Sequence, residues 1–273
     1  MPDLVYVYAV VPRSTDVAGA PSGIDEGRVS LVVEGDIGAL ASSVDSSYAD
    51  DLDDRLANVQ WLGPRAAAHD LVLTWASDAG PVVPLPLLSL FRSGDAVRAM
   101  LRERRAELTS LIEYVRRGRE YGVRVFRIDE ELRNALAEYS SAVEELARNA
   151  SAAASPGQGY LIGRKLEAAK KDELRRVSRD VASRAFDQLS SRSIAAIEDP
   201  LPAPSGEHVG VAVLNASFLV AHDRVDDFRG TVTELVQRYH RHGFRVEFTG
   251  PWPPYHFTRS PVSAGTNAPR ASS

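Results

Sequence analysis

Cysteine is absent from the 273 residues, which excludes disulfides, thiolate metal sites and thiol nucleophiles and fits a reducing compartment. A zinc site would have to be built from His and carboxylates. Long apolar runs are missing too. The opening "MPDLVYVYAVVPR" carries Asp3 where a secretory signal needs basic residues, and its apolar stretch is far too short to span a bilayer. A cytoplasmic protein without membrane contact is expected. HExxH, Gly-x-Ser-x-Gly, Walker A and GxGxxG spacings are all lacking. "GQGYLIG" holds glycines but follows a helical pattern, not the strand that a dinucleotide loop requires. No cofactor and no catalytic constellation is expected.

What is present is core-forming material and an uneven charge. Hydrophobic residues make up 44%, enough for a sizeable core in each of two domains. The net charge of −5 hides a gradient, since residues 1–54 hold eleven Asp/Glu against two Arg, while residues 92–127 hold ten Arg against five acids. The Arg-rich stretch lacks the interleaved aromatics of a base-stacking platform, so nucleic acid is not an expected partner.

Along the chain, "LVYVYAVV" from Leu4 to Val11 reads as a buried strand, and "RVSLVVEGDIGALASSV" as a hairpin turning at Gly35. Asp53 and Asp54 precede a helical pattern, interrupted by Gly63-Pro64, with Pro64 suited to the first turn of a new helix toward Ser77. The four acids Asp50, Asp51, Asp53 and Asp54 lack EF-hand spacing and read as helix-start acids. "GPVVPLPLLSLF" is extended or edge-like because of its prolines. Ser93 is the expected N-cap of one long helix carrying Val97, Leu101, Leu108, Leu111, Ile112 and Val115, ended by Gly118.

The remainder reads as a strand over "REYGVRVFRID" with Arg124 and Arg127 exposed, and a helix from Glu130 to about Ala150. A second long helix carries Ile162, Leu166, Leu174, Val177, Val181, Ala185 and Leu189. "EDPLPAPSGE" is a loop, "HVGVAVLNASFLVA" two strands turning near Asn215, Val225 to His242 a helix, and "FRVEFTG" a last strand ending at Gly250. The expected fold class is α+β, with residues 1–118 as an N-terminal α+β domain and 119–250 as a ferredoxin-like βαββαβ domain whose first helix is a helical hairpin. Residues 251–273 form a Pro/aromatic tail, expected to be disordered after about 258.

Of the six histidines, His69 follows Arg65 by one helical turn and could serve as a general base, although a structural hydrogen bond suits the sequence better. His240 and His242 are close in sequence but point to different faces of a helix, so no metal site is expected there. An enzyme or ligand-binding regulator using His69 or His240/His242 is the alternative reading.

Several blocks occur in a familiar order: "YVYAVV", "WLGPRAAAHDLVL", "PVVPLPLLSLF", "REYGVRVF", "GYLIGRKLE" and, most specific, "GPWPPYHF" at Gly250 to Phe257. Together they resemble the gas vesicle GvpL/GvpF family across nearly the whole chain. One departure is that this chain has Leu87, Leu88 and Ser89 where family members commonly carry a polar or basic residue and a Phe-Gly pair. The resemblance implies a non-enzymatic role: an accessory or minor structural component of gas vesicles that binds the shell protein GvpA, with other accessory proteins as possible partners.

The proline-rich tail holds Trp252, Tyr255 and Phe257 in a fixed arrangement with little chain entropy left to lose. It is expected to act either as a latch within its own chain, between the two domains, or as a set of aromatic anchors for a partner. The latch is the favoured expectation, since free aromatics near a terminus invite aggregation.

Overall fold

The computed structural model describes residues 4–49, 56–152, 155–203 and 210–258. The acids Asp50, Asp51, Asp53 and Asp54 and the tail beyond Thr258 lie outside these residues. Contacts divide the chain into two units, one of residues up to Arg119 together with the segment from Trp252, the other of Glu120–Pro251.

The first unit is built on strand β1 (Leu4–Pro12), flanked by β3 (Ile37–Val44), which in turn carries β2 (Ser30–Glu34). Gly35, at φ 64, makes the β2–β3 turn. On the other side of β1 lie two short strands, β4 (Val83–Pro84) and β5 (Leu90–Phe91), both antiparallel to it. The proline-rich segment thus serves as a broken edge, where a missing N–H is least harmful. The β1–β3 register slips between Val7 and Ala9, a bulge at Tyr8. The extra residue puts Tyr6, Tyr8, Ala9 and Val11 in one core cluster, and Val7 and Val10 in another.

Helix α1 (Val59–Ala79) covers the first cluster with Val72, Leu73 and Ala76. Helices α2 (Gly94–Glu103) and α3 (Arg105–Val115) cover the second with Val97, Leu101, Leu108 and Ile112. This explains why β1 is apolar throughout: it is buried on both faces.

Three helical expectations need correction. Gly63-Pro64 does not interrupt α1: the helix starts at Val59, where Asn58 accepts from the N–H groups of Gln60 and Trp61, and runs through Pro64 with one N–H missing from its second turn. Ser93 caps as expected, accepting from Ala96 N at 3.2 Å, but the helix breaks at Arg104 (φ −100, ψ 12) without any Gly or Pro to announce it. Gly118 opens the next strand; α3 already ends with Arg116 as its C-cap.

A buried hydroxyl fastens the loop before β2. Tyr8 Oη lies 2.7 Å from Ser42 Oγ and accepts from Ile24 N at 2.8 Å. A Cβ on Gly23 would stand 2.1 Å from that hydroxyl, so only glycine fits there. Tyr8→Phe is expected to lower stability by about 1–2 kcal/mol, because it strands the Ile24 N–H and the Ser42 hydroxyl in the core. Equilibrium denaturation checks this.

The second unit follows the chain order strand, helices, strand, strand, helix, strand: β6 (Gly118–Arg127), α4 (Asp129–Tyr139), α5 (Ser141–Ser151), α6 (Pro156–Ser190), β7 (Ala195–Glu198), β8 (Val211–Ala221), α7 (Val225–Tyr239) and β9 (Phe244–Trp252). Its sheet runs in the order β7-β8-β6-β9. Leu174, Val177, Val181, Ala185 and Leu189 of α6, with Phe228, Val232 and Leu235 of α7, pack on Tyr121, Val123 and Val125 of β6 and Leu214, Ala216 and Phe218 of β8.

The strands were partitioned differently by the sequence. No turn occurs at Asn215; β8 is continuous, and the additional strand is β7, which pairs antiparallel with it over Ala216–Leu219. Asn215 instead bonds outward, donating to the Pro200 carbonyl at 2.8 Å and accepting from Arg124 Nε at 3.2 Å. The expected helix from Glu130 breaks at Ser140 (ψ 108), whose hydroxyl accepts from Val143 N and starts α5. β9 passes Gly250 and ends at Trp252; as an edge strand it tolerates Pro251. Arg127 is not exposed: its side chain is only 15% accessible and bonds Asp129 and Ser178.

Candidate functional site

The residues of greatest chemical interest in the first unit gather where β1, α1 and the 83–89 segment meet. In β1, Tyr6 and Tyr8 are hydroxyl-bearing exceptions in an otherwise aliphatic strand, and both are fully buried. Periodicity places His69 on the same face of α1 as Val72, Leu73 and Ala76, so it points into that core. Its Nδ1 lies 2.7 Å from Tyr6 Oη, while the Tyr6 oxygen accepts from Leu88 N at 3.0 Å.

Tyr6 Oη and His69 Nδ1 thus share one buried hydrogen bond whose direction follows the ring tautomer, and the Leu85 backbone lies beside the ring as a further polar neighbour. Burial pushes the His69 pKa down to about 4 and the Tyr6 pKa above its usual range. His69 is a neutral linking group held through Nδ1 by Tyr6. It ties the loop between β4 and β5, where Leu88 takes φ 64, to the centre of the unit. The Val7 N–H to Ser89 carbonyl bond at 2.9 Å and the Leu85 N–H to Tyr8 carbonyl bond at 2.9 Å fasten the same loop to β1.

A second cluster fixes the start of α1. The Arg65 guanidinium lies 4.2 Å from the Trp61 ring centre and donates from Nε to Tyr48 Oη at 2.7 Å. It also pairs with Asp25, which accepts from the Tyr48 hydroxyl. Asp25 and Glu26 both take positive φ. Burial pushes the Tyr48 pKa up to about 12. Trp61, Arg65, His69 and Asp70 recur at about helical spacing, the one sequence signal that could have exposed this arrangement.

Beside His69 a pocket of about 730 Å³ opens, walled by Leu85, Pro86 and Leu87 on one side and by Tyr255 and Thr258 on another. Its only charged lining groups among the described residues are Asp70 and Arg104. Arg104 is already paired with Glu107 at 2.9 Å. Such a hollow suits an apolar side chain with a polar group at its rim.

The three tail aromatics meet different fates. Trp252, at the end of β9, is 44% exposed. Tyr255 is half-buried against the Tyr6–Tyr8 core cluster and donates from Oη to Asp70 Oδ1 at 2.9 Å. Phe257 is 7% exposed, and Pro253 and Pro254 are buried as well. Thr258 Oγ1 donates to the Pro254 carbonyl at 2.8 Å, closing the segment on itself. The structure therefore brings Tyr255 to the pocket by His69 and presents Trp252 at the surface.

His240 is exposed in a short 3-10 turn, and His242 lies within 3.1 Å of the Arg238 carbonyl through Nδ1. His69 lies in a different unit from this pair. Among the described residues no three His, Asp or Glu groups gather as a metal site, and no helix is long and apolar enough to cross a membrane.

Comparison with known proteins bears on what such a molecule is for. The family model described as gas vesicle synthesis protein GvpL/GvpF matches residues 4–259. Gas vesicle protein L of a Streptomyces species is 31% identical over 260 residues, covering 93% of this chain and 92% of that protein. Gas vesicle protein F of the same organism is 26% identical over 231 residues, 84% of this chain and 87% of that protein. Among solved structures, GvpF of Anabaena superposes with a TM-score of 0.67 at 17% identity, covering 94% of this chain and 97% of that one. GvpF of Microcystis aeruginosa gives the same score at 19% identity, covering 95% and 100%. At these identities the structures establish a shared fold.

Proposed function

The chain belongs to the gas vesicle GvpL/GvpF family, and on that premise we propose that it is an assembly or minor structural protein of the gas vesicle, working in the cytoplasm and at the vesicle. It binds the major shell protein GvpA while the vesicle forms and holds that apolar protein back from aggregation. The observation that carries this reading is the match over residues 4–259 to a family named for gas vesicle synthesis. The role is non-enzymatic. The best-placed candidate base, His69, is buried, bonded through Nδ1 to Tyr6, and pushed by burial to a pKa of about 4, which makes it a poor proton acceptor at neutral pH.

Trp252 and the pocket beside Tyr255 are the contact surface in this reading. A large aromatic left 44% exposed on a rigid strand end is a low-entropy anchor for an apolar partner. Purified protein is expected to co-precipitate with GvpA and to suppress its light scattering. Trp252→Ala is expected to weaken the association by a factor on the order of ten or more, with unchanged folding. No association in either assay, with both proteins folded, would remove the assembly role.

A further inference from the structure

Two hollows in the second unit share Arg127 and Arg175, so they form one groove along α6, beside the start of β8. The larger has a volume of about 750 Å³. At its centre Arg127 is held in place, donating from Nε to Asp129 at 2.6 Å and from Nη1 to Ser178 Oγ at 3.2 Å. Buried Ser178 in turn donates to the Leu174 carbonyl at 2.6 Å. Arg175 and Arg179 stand one turn apart on the same side of α6, and among the described residues neither forms an ion pair or hydrogen bond. Their neighbour Arg176 is different: Glu173 and Asp180 hold it from both sides.

Arg175 and Arg179 repel one another, since like charges at i and i+4 weaken a helix. Glu198, the one carboxylate of the larger hollow, pairs with none of them. Beyond the arginines the lining turns apolar, with Phe186, Leu201 and Val211. Leu201 is 52% and Val211 44% exposed. β7 pairs with β8 only over Ala216–Leu219, so the first residues of β8 lie beyond its reach.

We propose that this groove docks an acidic segment of a partner protein, with carboxylates on Arg127, Arg175 and Arg179 and the adjoining apolar side chains on Phe186, Leu201 and Val211. Carboxylates supply the countercharge that Arg175 and Arg179 lack, with Arg127, already paired with Asp129, adding a fixed positive edge to the groove, and planar guanidinium groups receive carboxylates in pairs of hydrogen bonds. A nucleic acid would use the cationic half only, leaving the apolar half uncovered, and the chain as a whole is acidic at −5.

The test is fluorescence anisotropy of the full chain with a labelled peptide in which a Glu/Asp cluster adjoins leucines. The peptide is expected to bind, less tightly as salt rises. Arg175→Gln/Arg179→Gln should weaken binding by about a hundredfold, and Leu201→Ser by about tenfold, with helical circular dichroism unchanged. Arg164→Gln/Lys165→Gln, which removes the same charge from α6 outside the groove, should change it less than about twofold. The proposal is overturned by no binding, by equal weakening in the control variant, or by binding of the Gln/Asn version of the peptide with equal affinity. Tighter binding of single-stranded RNA or of phosphatidylserine vesicles that the same arginine variant abolishes would overturn it as well. The groove contains none of the tail residues, so failure here and failure of GvpA binding are separate results.

Discussion

Acidification from pH 7 to pH 4 is expected to destabilise the first unit by about 3 kcal/mol more in the native chain than in a His69→Gln variant. The folded state holds His69 neutral, its pKa pushed down by burial to about 4, while an unfolded histidine titrates near 6.5. Between these two values the unfolded chain binds more protons than the folded one. The stability is therefore complete above pH 6.5 and is lost as the pH falls toward 4. Glutamine keeps a polar partner for Tyr6 but has no proton to gain. Trp61 and Trp75 both pack in the first unit and the second holds no tryptophan among Glu120–Pro251, so denaturation followed by tryptophan fluorescence reads the relevant unit. Parallel stability curves for the two proteins across this range would mean that His69 titrates in the folded chain as it does in the unfolded one.

Deleting the residues after Trp252 is expected to lower the fluorescence-detected thermal midpoint on the order of 10 °C and to raise binding of an apolar dye. The deletion leaves β9 whole. What it removes is Phe257, buried to 7%, two buried prolines and the hydroxyl that Tyr255 gives to Asp70. Burial of one phenylalanine alone is worth about 1.5–3 kcal/mol, and the prolines lower the entropy of the competing unfolded chain. If the midpoint holds while GvpA binding is lost, the segment serves a partner and does not latch its own unit. The single substitution Trp252→Ala complements the deletion, since it alters this 44% exposed ring and leaves Tyr255 and Phe257 in place.

How far these features could be read from sequence varied with the range of the physics involved. The β1–β3 framework, the Ser93 cap and the buried face of α6 follow from local patterns that the sequence displays openly. The breaks at Arg104 and Ser140 do not, since neither position carries a residue that forbids helix, although the Ser140 hydroxyl does cap the helix that follows. β7 is only Ala195–Glu198 and acquires its identity from β8, while the neighbouring Asn215 resembles a turn residue until its bonds to Pro200 and Arg124 are seen. The tail was legible as unusual by its prolines and aromatics. Which ring is buried and which exposed depends on Asp70, far away in sequence, and on the Tyr6–Tyr8 cluster, and no pattern within the tail encodes that. The arginines of the α6 groove read as an ordinary solvated helix face until the structure separates those with acidic partners from those without.

The division of the chain has a consequence for its biosynthesis. The first unit includes the segment from Trp252, so the ribosome must make all of Glu120–Pro251 before the wall formed by Tyr255 and Thr258 exists. At roughly 5–20 residues per second, the nascent chain carries an unfinished first unit for on the order of ten seconds. During that interval the core cluster around Tyr6 and Tyr8 lacks the cover Tyr255 provides, and the pocket beside His69 stands open along one side. The second unit, by contrast, is contiguous and has its whole sequence once β9 is made. The half translated first thus depends for part of its cover on the segment translated last.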